Sequence, residues 1–130
     1  MAIRRITYVT VVCHDQEEAL AWYTEKFGFE KRQDDTSMPG YRWLTVAPPG
    51  QQELEVILFK ARDDRERGWV GQGTLWVLEV DDCRATVEQL KARGVKVLSE
   101  PQEAPWGVSA VVEDLYGNPY SLLERPRGSA

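Results

Sequence analysis

The feature that most limits what this chain can fold into is that it carries one pattern twice. Residues 7–32, TYVTVVCHDQEEALAWYTEKFGFEKR, read as a strand, an acidic corner, a helix, a glycine stop and a second strand. Residues 74–98, beginning TLWVLEVDDCRATVEQLKARGVKV, read the same way. Asp15 opens the first helix and Asp82 the second, 67 residues on (82 − 15); Gly28 and Gly94 stop them, 66 apart (94 − 28). Near-constant spacing of this kind marks an internal duplication. Two copies are too few for a solenoid. The expectation is one domain, residues 1–130, made of two modules at about 3–62 and 73–126 with a linker at about 60–73, the halves pairing around a shared groove.

Within the first module, residues 5–13 alternate as a strand, with Tyr8, Thr10 and Val12 on one face and Val9, Val11 and Cys13 on the other. Asp15 is the expected N-cap, and Glu17 and Glu18 sit in the first turn, where carboxylates favour the helix dipole. QDDTSMPG, 33–40, has the composition of a loop. YRWLTVA, 41–47, reads as a strand with Tyr41, Trp43 and Thr45 on one face and Leu44 and Val46 on the other. After the turn PPGQQ comes ELEVILF, 53–59, with Glu55, Ile57 and Phe59 opposite Leu54, Val56 and Leu58.

The second module repeats the plan: a strand at 74–80, a helix at 83–93, the strand VKVLSE, a proline-rich loop PQEAPWG at 101–107, the strand VSAVVED, the turn LYGNP and the strand YSLLE. RPRGSA is a tail. Each module is thus βαβββ, giving about eight strands and two long helices, with the first and fifth strands in equivalent places. The aliphatic strand faces bury against the helices, and the opposite faces remain for the groove.

Composition excludes several functions. A net charge of −5 argues against a nucleic-acid surface, which needs clustered Lys and Arg. No apolar run approaches the ~20 residues of a membrane span. The opening MAIRRITYVTV turns into an alternating strand, not a signal-peptide core, so the expected location is cytoplasmic. The two cysteines, Cys13 and Cys83, are then expected as free thiols, Cys83 beside a helix N-terminus.

Three stretches, in this order and spacing, carry a resemblance. HDQEEALAWYTEKFGFE, LEVDDCRATVEQLKARGV and EDLYGNPYSLLE resemble the two strand–Asp–helix signatures and the terminal Asp-x-x-Gly-Asn hairpin of the vicinal oxygen chelate superfamily. That superfamily comprises glyoxalases, extradiol dioxygenases, fosfomycin-resistance transferases and bleomycin-binding proteins. The resemblance covers nearly the whole chain. It implies an α+β fold of tandem βαβββ units, their curved mixed sheet enclosing a cavity, in a homodimer. Fold in this superfamily does not fix the reaction.

Enzymes of the family hold a divalent metal with His, Gln or Glu from four strands. The resemblance puts those positions at Tyr8, Leu75, Ser121 and, near Glu53 or Glu55, preferably Glu55. Leucine cannot ligate, and neutral Tyr and Ser are poor ligands for the metals concerned. His14 is the single histidine. It lies six residues past Tyr8, roughly 20 Å along a strand, at the helix-opening corner. No metal and no cofactor are therefore expected. Glu55 reads either as an exposed strand carboxylate or as a group that orients a ligand; an apolar site would raise its pKa.

Five tryptophans are many for this length. Trp22 and Trp76 read as core; Trp43 faces away from the helices, and Trp69 and Trp106 fall in loops. Packing or dimer contact explains each singly, and together they suit a planar ligand. Three readings stay open: a metal-free binder of a small apolar or aromatic molecule, resistance- or immunity-like; a lyase, isomerase or dioxygenase with shifted or intersubunit metal ligands; and a dimeric accessory module without a small ligand. For the first, the site residues are Tyr8, Tyr41, Trp43, Glu55, Trp106 and Ser121.

Overall fold

In a computed structural model residues 2–126 are described, and the last four residues of the expected tail lie outside them. The chain divides into two compact units, 1–70 and 71–130.

The first unit contains β1 (Tyr8–Cys13), α1 (Gln16–Lys26), β2 (Glu30–Asp35), β3 (Trp43–Ala47), β4 (Glu55–Lys60) and a short α2 (Asp64–Arg67). Its sheet runs β1-β4-β3-β2, with β1 parallel to β4 and the other pairs antiparallel. The second unit contains β5 (Trp76–Glu79), α3 (Cys83–Ala92), β6 (Lys96–Ala104), β7 (Gly107–Glu113) and β8 (Pro119–Glu124). Its sheet runs β5-β8-β7-β6 with the same parallel and antiparallel pattern. No helix among the described residues is long and apolar enough to cross a membrane.

The repeated local signals act as their chemistry requires. The carboxylates of Asp15 and Asp82 each accept the backbone N–H three residues on, from Glu18 and Ala85, at 3.0 Å, which satisfies one orphan donor of each helix. Gly28 and Gly94 follow the helices at φ +71° and +85°, a backbone state costly for any side chain with a Cβ. The turn DLYGN closes on itself: Asp114 accepts the backbone N–H groups of Tyr116 and Asn118 and the Asn118 amide, each at 2.9 Å. Asn118 in turn accepts from the backbone of Gly73, tying the hairpin to the start of the unit.

Alternation sorts the sheet faces. Val11 and Cys13 of β1, Leu44 and Val46 of β3, and Val56 and Leu58 of β4 are buried on the side of α1, together with Ala19 and Tyr23 of that helix. Four aromatic rings, Trp22, Tyr23, Phe27 and Phe29, form a cluster beneath α1 with centroids 4.8–5.8 Å apart. The second unit buries mainly aliphatics in the same place, Val87 and Leu90 of α3 with Ala110, Val112 and Leu122, and one ring, Tyr120. Trp76 is half-buried, edge-on to Tyr120 at 5.8 Å.

The structure corrects three local expectations. β2 does not stop at Arg32; it continues through Gln33, Asp34 and Asp35, because β3 supplies a partner strand across a bulge at Arg32. The expected linker contains α2, capped by Asp63 and held by Glu66, whose buried carboxylate accepts Arg62 Nε and Nη2 at 2.9 and 2.6 Å. Trp69 beyond it lies under the Arg65 guanidinium at 5.3 Å, a cation–π contact that accounts for an aromatic in a connecting segment. The proline-rich stretch at 101–107 is mostly strand: β6 passes through Pro101 at an irregular point in its pairing with β7, where a missing N–H costs no ladder bond.

Candidate functional site

The open face of the first sheet holds a cluster built from four strands. Register pairs Tyr8 with Glu55, Thr45 with Ile57, and Gln33 with Thr45. Tyr8 is exposed, and Trp43 and Glu55 are half-buried. The Tyr8 and Trp43 rings meet edge to face, 5.2 Å apart at 79°.

Gln33 joins the cluster. Its Nε2 donates to Tyr8 Oη at 3.1 Å and to Glu55 Oε1 at 2.9 Å, and its Oε1 accepts from Trp43 Nε1 at 3.0 Å. Thr45 Oγ1 donates to Glu55 Oε1 at 2.7 Å and accepts the Gln33 backbone N–H at 3.1 Å. Both side-chain bonds to Glu55 therefore fall on Oε1, and Oε2 has no hydrogen-bond donor among the described residues.

The same bonds set the charge. Donation from Gln33, then from Thr45, holds the Glu55 carboxyl below its ordinary range, against the opposing effect of burial. Glu55 is thus an anion at neutral pH and an orienting acceptor. The raised pKa that an apolar site would have produced does not occur.

Of the six residues marked in the sequence, the structure brings Tyr8, Trp43 and Glu55 together. Tyr41 is not in that cluster. β3 starts only at Trp43, so strand alternation does not reach Tyr41; its ring lies 6.5 Å from Phe59 and lines a separate cleft. Trp106 and Ser121 belong to the second unit. Trp106 occupies the tight turn between β6 and β7 and is 66% exposed. Ser121 is half-buried on β8, flanked by Val77 and Val111. Sequence reasoning missed Gln33, because a charged, aspartate-rich stretch reads as a loop. The signal that was present is the single amide in the middle of EKRQDD, two residues past a lysine that continues the strand.

The family's metal positions do not fit a metal here. Tyr8 accepts from Gln33, Glu55 Oε1 is committed twice, and Leu75 offers no donor atom. Among the described residues no three His, Cys, Asp or Glu side chains converge. Both thiols are shifted away from the reactive thiolate form. Burial above all, then Asp15, pushes Cys13 up to about 12. Burial, then Glu124, raises Cys83 despite its place in the first turn of α3.

Comparison with known proteins agrees with this architecture. The family model of the Glyoxalase/Bleomycin resistance protein/Dioxygenase superfamily matches residues 5–122. The solved structure of UcmS2 is 37% identical, covers 95% of this chain and 99% of its own, and superposes with a TM-score of 0.86. TnmS3, an antibiotic binding protein from Streptomyces sp. CB03234, is 32% identical over 97% of this chain and 99% of its own, with a TM-score of 0.82. The uncharacterized protein YetH of Bacillus subtilis is 35% identical over 94% of this chain and 99% of its own length. With its two βαβββ units and a match over nearly its full length, the chain belongs to the Glyoxalase/Bleomycin resistance protein/Dioxygenase superfamily.

Proposed function

We propose that this protein sequesters a small aromatic molecule, without chemistry, on the open face of its first sheet. The observation that carries the reading is the Tyr8–Trp43 pair fixed at 5.2 Å by a pre-formed hydrogen-bond network through Gln33. A binding site of this kind combines apolar walls with a few set polar groups. Here the rings supply the walls, and Glu55 Oε2 supplies an acceptor for an N–H or O–H on the ligand. Because the network is complete before binding, little ordering entropy is lost when the ligand arrives.

The state of the neighbouring groups supports a reading without chemistry. Glu55 is held below its ordinary range by Gln33 and Thr45, and both thiols are buried and pushed above theirs. Similarity to TnmS3 over nearly the full chain supports an antibiotic-like ligand class.

The test is a tryptophan-fluorescence titration of the protein, Trp43→Ala and Tyr8→Ala against aromatic antibiotics and metabolites. Each lost ring contact should weaken binding about two- to twelvefold, from ~0.5–1.5 kcal/mol per aromatic pair beyond area burial. A ligand that binds both folded variants as tightly as the parent would remove the site from this face.

A further inference from the structure

The first unit also holds a second, differently made cleft. It has a volume of about 360 Å³, and among its lining residues are Gln16, Tyr41, Arg42, Lys60, Arg62 and Arg67. Four of these are cations and no carboxylate lines it. Each of the three arginines has a carboxylate partner outside the lining, and Lys60 is the lining cation with no ion pair among the described residues.

The arginines are held by carboxylates that are not among the lining residues. Asp34 grips Arg42 through Nε and Nη2, both at 2.8 Å, and Glu17 takes Nη1 at 2.5 Å. Glu66 grips Arg62 through Nε and Nη2, and Asp64 pairs with Arg67. Gln16 fixes the floor, donating to the backbone carbonyls of Arg42 and Leu58 at 3.1 and 2.8 Å. Donors remain. Arg62 Nη1 is not used by Glu66, and Lys60 makes no ion pair among the described residues. Glu17 and Asp64 have side chains 72% and 99% exposed, so a ligand can replace them on Arg42 and Arg67 with little loss of burial. Asp34 and Glu66 stay in place and keep two guanidinium planes oriented.

We propose that this cleft binds a small multivalent oxyanion, a phosphorylated or polycarboxylated molecule, independently of the Tyr8–Trp43 face. Planar guanidinium forks and an ammonium suit oxyanion geometry, and charge-assisted bonds to them are the strong ones. The volume is that of a small-ligand pocket, not of a track for a polymer backbone. Tyr41, set against Phe59 at 6.5 Å, gives the cleft one aromatic wall.

Calorimetric titration tests this with inorganic pyrophosphate and with citrate, at about 10 mM ionic strength where screening is weak. Chloride at matched ionic strength is the control. The expected result is submillimolar binding of at least one of the two. Preference for pyrophosphate would name a phosphate ligand, and preference for citrate a polycarboxylate. The double variant Lys60→Gln, Arg67→Gln should bind at least about tenfold more weakly with an unchanged melting temperature, since both side chains are exposed. Lys60→Arg should retain binding, and Tyr8→Ala should leave it unaltered. Failure of both anions to bind beyond the chloride control, or equal binding by the double variant, would overturn the proposal.

Discussion

Seven residues before its capping aspartate, the first unit carries Tyr8 and the second carries Leu75; five before, they carry Thr10 and Val77. The fold around these positions is the same, with a parallel outer strand, a capped helix and an antiparallel return. The chemistry is not. In the first unit the open sheet face bears two rings and a carboxylate, tied together by Gln33 and Thr45. In the second, Leu75 precedes β5 at φ +50°, outside the strand alternation, and β5 bears Val77 at 59% exposure, with Ser121 between Val77 and Val111. Register adds a further difference. Ser121 pairs with Val77, the row that in the first unit holds Thr10 and Ile57, so it is not the counterpart of Glu55. The two units share a scaffold, and the hydrogen-bonded cluster of rings and carboxylate occurs on the open face of the first. The contrast extends to the helices: α1 packs within a cluster of four rings, whereas α3 packs mainly with aliphatic side chains and the Tyr120 ring.

Truncating each helix core gives the largest effect. Tyr23→Ala, at a fully buried ring, should cost about 3–5 kcal/mol in urea unfolding, as large aromatic truncations do. Leu90→Ala should fall toward the lower end of the about 2–5 kcal/mol range for aliphatic truncation. Equal costs would show that the aromatic cluster adds nothing beyond ordinary packing.

Next comes the network. Gln33→Leu should cost about 1–2 kcal/mol, the figure for a bond to a charged group reduced for the partial exposure of Glu55. It should also shift the Trp43 indole N–H resonance. Ser121→Ala should stay within about 0.5 kcal/mol. A silent Gln33 variant would erase the distinction between the two faces.

The repeated feature should give matched effects. Asp15→Ala and Asp82→Ala each remove one capping bond at 3.0 Å, and each should cost about 1 kcal/mol. A wide gap between them would mean that the two caps are alike in geometry but not in use.

The last effect vanishes at neutral pH. Arg42 holds Asp34 down to about 2 and Arg62 holds Glu66 down to about 2, and Glu55 is also lowered; all three are in the first unit. Between those values and the ordinary 3.8 and 4.5 the unfolded chain binds more protons than the folded one. The stability these groups give is therefore complete above about pH 4.5 and is lost as pH falls toward 2. Amide hydrogen exchange followed down this range should show protection falling first in residues 8–70. Earlier loss in residues 76–124 would break the comparison.

Much of the fold was legible because its signals are local. A capping aspartate, a glycine past a helix end and a two-residue alternation each act within a few residues, so Asp15, Asp82, Gly28 and Gly94 read correctly by themselves. Pairing them revealed the duplication, and strand parity alone put Tyr8, Trp43 and Glu55 away from the helices. What sequence could not settle depends on partners far along the chain. The strand character of Gln33 comes from β3, and its role comes from Tyr8, Trp43 and Glu55, up to 25 residues away. The start of β3 only at Trp43, past Tyr41, and the lowered pKa of Glu55 are likewise set by neighbours that only folding brings near. Cross-strand hydrogen bonds and desolvation are properties of the assembled sheet, and no local pattern of residues encodes them.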